Sequence, residues 1–119
     1  MSILQTGLEH LETEEAYAEA LATNENVMIC CGRMGPMCLP VYDIMESIRD
    51  DYAHVAFRDM PFDSEVGMRT IRSLPETRSF MGLPFTVYYK NGKVVAATSS
   101  IQTMDQVTGI LDQQFGAEG

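Results

Sequence analysis

Hydrophobic and polar positions along the chain change period several times, and each change marks an element. Residues 3–12 (ILQTGLEHLE) read as a short first strand. Thr13 then predicts an N-cap for a helix over about 14–22, with Tyr17, Ala18 and Leu21 turned inward. Asn24-Glu25-Asn26 breaks that helix, and the wholly apolar run VMICC (27–31) follows. Such a run suits a strand buried on both faces, as between parallel neighbours. Val41, Ile44, Met45, Ile48 and Tyr52 then share one helical face, with Pro40 either starting that helix or kinking its first turn. HVAFRD (54–59) alternates like a strand. Residues 64–74 can be helical up to Pro75. PFTVYYKNGKVVAAT predicts a hairpin turning at Asn91-Gly92, the strongest short hairpin signal. Thr103 and Gln106 form a capping box for a last helix, with Val107, Ile110, Leu111 and Phe115 on one face. The order is βαβαβαββα, which predicts an α/β fold with a mixed central sheet and helices on both faces.

Composition narrows the function classes. At 119 residues with 45% hydrophobic content, the chain is expected to be one domain spanning 1–119. It has neither internal repeats nor a low-complexity linker. The net charge of −9 argues against nucleic acid and anionic membrane surfaces, both of which need a basic footprint. Glu9, Glu12, Glu14, Glu15, Glu19 and Glu25 all precede the first Lys or Arg and read as a solvated face. The first ten residues lack a signal-peptide pattern, and no segment approaches the roughly 20 apolar residues of a membrane span. A cytoplasmic location is expected, where thiols stay reduced unless they are catalytic. Three cysteines cannot all pair within one chain, so a structural disulfide framework is set aside.

All three cysteines lie in CCGRMGPMC, residues 30–38. This apolar strand runs through Gly35-Pro36 into a long helix, and GLPFTVYYKNGKVV follows downstream. Together with LETEEAYAEAL and TMDQVTGILDQQF, these stretches resemble the thioredoxin superfamily over nearly the whole chain. The resemblance implies the thioredoxin fold and a cis Leu83–Pro84 peptide. It also implies a groove in which the Leu83 backbone, beside Gly35-Pro36, receives an extended partner chain. Departures from the family pattern are marked. Met34 and Met37 stand where the Cys-Gly-Pro-Cys thiols belong, Met28 stands near the usual buried carboxylate, and Arg33 replaces the flanking tryptophan. A longer segment before Leu83 carries Arg69, Arg72 and Arg78, read as a solvated helix face.

Three readings of the cysteine segment remain. In the first, thiol–disulfide chemistry survives on relocated cysteines. Cys38 lies near a helix N-terminus, which lowers a thiol's pKa. Cys30 or Cys31 resolves the mixed disulfide, with Cys31 favoured weakly. An alternative alignment sets Cys38-Leu39-Pro40-Val41 in place of Cys-Gly-Pro-Cys, at the expense of a shorter helix. The second reading gathers Cys30, Cys31, Met34, Met37 and Cys38 as soft ligands for Cu(I). The third keeps the fold as a redox-inactive binding module. His10 and His54 read as strand or surface histidines. The expected function is electron transfer to or from protein thiols and disulfides, with no bound cofactor. The resemblance implies a flavoprotein reductase as the electron donor.

Overall fold

The computed structural model describes residues 4–116. Thr13 caps α1 (Glu14–Thr23) by accepting the Ala16 N–H, as its position predicts. The inward face of α1 is Ala16, Tyr17, Ala20 and Leu21, while Ala18 is exposed. β2 (Asn26–Gly32) is buried at every residue. After a loop, α2 (Leu39–Ile48) continues as a 3-10 turn over Arg49–Tyr52. β3 (Ala56–Pro61) leads to α3 (Glu65–Arg69). β4 (Phe85–Lys90) and β5 (Lys93–Ser99) form the hairpin, with Asn91 and Gly92 both at positive φ, 53° and 79°. Both values fit the tight two-residue turn that suits twisted strands. α4 (Met104–Phe115) opens on the Thr103–Gln106 capping box.

Two expected elements come out shorter. β1 pairs only over Glu9–His10. Before it, Thr6 and Gly7 bond side chains instead of a ladder: Thr6 Oγ1 donates to Asp59, and the Gly7 N–H donates to Glu46. These bonds, spanning 53 and 39 positions, engage the segment where further strand pairing is expected. Ile3, the first residue of the expected strand, lies outside the described residues. The helix expected over 64–74 is α-helical only to Arg69. Thr70 leaves helical geometry at φ −115°, ψ −90°, and a 3-10 turn covers Ile71–Ser73.

The described strands form one sheet in the order β1-β3-β2-β4-β5. β3 runs parallel to β1 and β2, whereas β4 is antiparallel to β2 and β5. Alternation along β2 divides the interior into two cores. Met28 and Cys30 face Val41, Tyr42 and Met45 of α2 and Val107, Leu111 and Phe115 of α4. Val27, Ile29 and Cys31 face Ala20 of α1, Val66 of α3 and Ile71. The helices therefore cover both faces of a mixed sheet, as the hydrophobic pattern predicts. Among the described residues no helix is long and apolar enough to cross a membrane.

Candidate functional site

The loop Arg33–Met37 carries the chain from the end of β2 to the start of α2. The Gly35 carbonyl accepts the N–H groups of both Cys38 and Leu39 at 3.0 Å, making a turn immediately before the helix. Cys38 is the N-cap residue, and its carbonyl accepts from Val41 and Tyr42 at 3.0 and 3.2 Å. Pro40 sits in the first turn, where its missing N–H has no role. The N-cap residue here turns its side chain inward rather than capping the helix.

That inward turn determines the site. Cys38 is 2% exposed, and its Sγ accepts the Arg33 N–H at 3.3 Å. It lies over Gly32, at the end of β2. A Cβ on Gly32 would come within 2.8 Å of Cys38 Sγ, 2.9 Å of Tyr42 Oη and 3.0 Å of Pro84 Cβ. Glycine is needed here so that sulfur, hydroxyl and proline ring can close over the strand. The Leu83–Pro84 peptide is cis. Pro84 is buried, Leu83 is half-buried, and neither backbone group of Leu83 has a backbone partner among the described residues.

The three cysteines are free and buried, but they do not converge. Cys30 shares the α2–α4 core with Cys38, whereas Cys31 belongs to the opposite core. Cys31, weakly favoured as Cys38's partner, therefore lies across the sheet from it. Successive side chains on a strand point to opposite faces, and the helix carrying Cys38 lies on the Cys30 side. The five-sulfur Cu(I) arrangement is divided by the same sheet and is not favoured. Met34 and Met37 are exposed, and Met34 Sδ accepts the Gln5 N–H at 3.3 Å. No group of three or more His, Cys, Asp or Glu side chains suited to a metal occurs among the described residues.

Burial dominates the electrostatics. It holds the Cys30 thiol well above its ordinary value and pushes Cys31 up to about 12, against the pull of Arg72. Cys38 is also raised by burial; the Arg33 N–H, the Arg33 charge and the Gly35 backbone offset this only in part. The helix start thus does not make Cys38 an acidic thiol in the resting structure, contrary to the expectation from its position. Desolvation of a thiolate outweighs those favourable contacts.

Two groups at the site escaped the sequence reading. Tyr42 is 1% exposed, one helical turn after Cys38, and its hydroxyl has no partner among the described residues. The i, i+4 spacing was the available signal. Asp59 is fully buried and stands opposite Cys30 in the parallel register of β2 and β3. It accepts from Thr6 Oγ1 at 2.5 Å and pairs with His10 Nδ1 at 2.6 Å. A buried carboxylate is present after all, one strand away from Met28, and alternation with buried Phe57 was its signal. His10 is thereby a partnered edge histidine, and His54 bonds the Gly116 carbonyl at 2.8 Å.

The arginines form an outer layer. Arg33 grips Asp63 with two bonds of 2.5 and 2.7 Å, and Arg33 and Arg72 lie 5.3 and 4.1 Å from the Phe62 ring centre. Arg69 pairs with Glu65 and Glu14 in exposed ion pairs, which fits a solvated face. A cavity of about 600 Å³ between Asn24, His54 and Arg58 includes none of the cysteines.

No protein-family model matches the sequence, and no curated protein matches it. Solved structures do. A thioredoxin from Plasmodium falciparum is 18% identical, with a TM-score of 0.72 over 90% of this chain and 99% of that one. Thioredoxin f2 of Chlamydomonas reinhardtii is 15% identical, with a TM-score of 0.76 over 94% and 100%. Mitochondrial thioredoxin 3 of Saccharomyces cerevisiae is 17% identical, with a TM-score of 0.68 over 88% and 94%. At such identities the likeness is one of architecture, carried by the same mixed sheet and the helices on its two faces: the chain has the thioredoxin fold.

Proposed function

We propose that the protein exchanges electrons with protein thiols and disulfides through Cys38. One observation carries this reading. Cys38 is the N-cap residue of α2, its sulfur and the Pro84 ring close over Gly32, and Cys30 is a second thiol in the same core. The start of the helix at Leu39 supports the register in which Cys38-Leu39-Pro40-Val41 stands in for Cys-Gly-Pro-Cys. It gives Gly35-Pro36 the role of shaping the turn before the nucleophile.

In this mechanism Cys38 loses its proton to water, and its thiolate attacks one sulfur of a partner disulfide. A Cys38–partner bond forms and the partner's other sulfur leaves as thiolate. Cys30, deprotonated in turn, attacks the Cys38 sulfur and releases the second partner thiolate. The two departing thiolates take up the two protons. One partner disulfide is reduced, and the pair of cysteines is oxidised to a disulfide. The Leu83 backbone offers main-chain hydrogen bonds to the partner chain. A flavoprotein reductase would return the electrons. Buried free thiols fit a reducing compartment, and we assign the protein to the cytoplasm.

Counting free thiols before and after mild oxidation, with peptide mapping, tests the reading. Wild type and Cys31→Ser should each lose two thiols reversibly to a Cys30–Cys38 bridge, while Cys30→Ser and Cys38→Ser should form no internal bridge. Three thiols that react only after unfolding would instead leave a binding module without electron transfer.

A further inference from the structure

We infer that Tyr42 donates a hydrogen bond to the Cys38 sulfur when that sulfur is a thiolate. The inference rests on the proposed exchange chemistry and assigns it a further residue. Tyr42 lies in the core between α2 and β2, a place where phenylalanine would pack equally well without burying a hydroxyl. The hydroxyl is buried and has no partner among the described residues. Buried polar groups are normally paired, and an exception beside a reactive thiol calls for an explanation. The nearest candidate is on the same helix. Tyr42 Oη and Cys38 Sγ close on one point above Gly32, at 2.9 and 2.8 Å from it.

A neutral thiol is a weak acceptor, and in the resting structure the Tyr42 hydroxyl makes no bond to it. Once the thiol releases its proton to water, the sulfur carries full charge and becomes a strong acceptor, and charge-assisted bonds are roughly twice as strong as neutral ones. The Arg33 N–H already points at the sulfur from the loop. Tyr42 adds a donor from the helix to the Arg33 and Gly35 backbone groups of the loop. The groups around Cys38 leave few alternatives. The Arg33 guanidinium is turned outward to Asp63, Pro84 before β4 contributes only its ring, Asp59 of β3 is engaged by Thr6 and His10, and Cys30 and Cys31 of β2 are uncharged thiols. Tyr42 itself stays protonated, because burial holds its hydroxyl far above the ordinary tyrosine range.

Tyr88 provides an internal control. It is fully buried, and its hydroxyl also lacks a partner among the described residues, but it pairs with Met28 in the sheet register, well back from Gly32. The experiment is the pH profile of Cys38 alkylation by iodoacetamide in the folded protein, read by peptide mapping in wild type, Tyr42→Phe and Tyr88→Phe. Tyr42→Phe should raise the midpoint by about one pH unit, a tenfold loss of thiolate below it, with Tyr88→Phe matching wild type. Incorporating 3-fluorotyrosine, a more acidic donor, should lower the midpoint, and this arm stands even if Tyr42→Phe does not fold. Midpoints that coincide across wild type, Tyr42→Phe and the fluorinated protein overturn the assignment while leaving exchange through Cys38 intact. A Cys38 that is alkylated at no pH in the folded wild type overturns both.

Discussion

Gly32 shows how a single residue determines the geometry of the site. Its missing side chain is the space into which Cys38, Tyr42 and Pro84 converge. Gly32→Ala should therefore overpack the site, costing about 1–3 kcal/mol in urea melts and disturbing Cys38 reactivity. A neutral alanine would mean that the loop relaxes freely. Asp59 presents the opposite problem, since its charge is buried although its bonds are made. Burial pushes its carboxyl above the usual range despite the bonds from Thr6 and His10. A raised folded pKa means that the native state holds the proton more tightly than the unfolded chain. The group's contribution to stability is then full below the ordinary value near 4 and is lost as pH rises through the raised value. Asp59→Asn should gain on wild type as pH rises above about 4. Equal pH slopes in urea melts of the two proteins would show that Asp59 titrates as an unperturbed carboxyl.

At the scale of elements, local chemistry accounts for the helix and hairpin termini. Thr103 accepts the Gln106 N–H at 3.2 Å while the Gln106 side chain accepts the Thr103 N–H at 2.8 Å. Thr103→Ala should lose about 1 kcal/mol of stability by thermal or urea unfolding. No change would mean that the packing of Val107, Leu111 and Phe115 alone holds α4. These caps and the Asn91-Gly92 turn were legible in the sequence, because each is made by residues within a few positions of one another. β1 and α3 were misjudged in length. The end of β1 is set by Thr6 reaching Asp59 across 53 positions, and α3 ends where Thr70 leaves helical geometry.

Across the whole molecule, the sheet separates two cores that share no helix. Leu111 belongs to one and Ile71 to the other, and both are fully buried. Leu111→Ala should cost about 2–5 kcal/mol and Ile71→Val about 0.5–1.5 kcal/mol. Together they should add to within about 0.5 kcal/mol, as independent sites do. A larger coupling in the double-mutant cycle would show that strain passes through the sheet. The same division decides the candidate site. By itself the sequence determined the order of elements, the caps, the hairpin and the place of Cys38 near a helix start, since periodicity and turn chemistry act over short range. Tertiary structure alone decided that Cys30 rather than Cys31 shares Cys38's side, that Asp59 lies beside Cys30 and that Tyr42 closes over Gly32. Those choices depend on strand register and on which face each helix covers, and only the packing of distant segments against one another sets them.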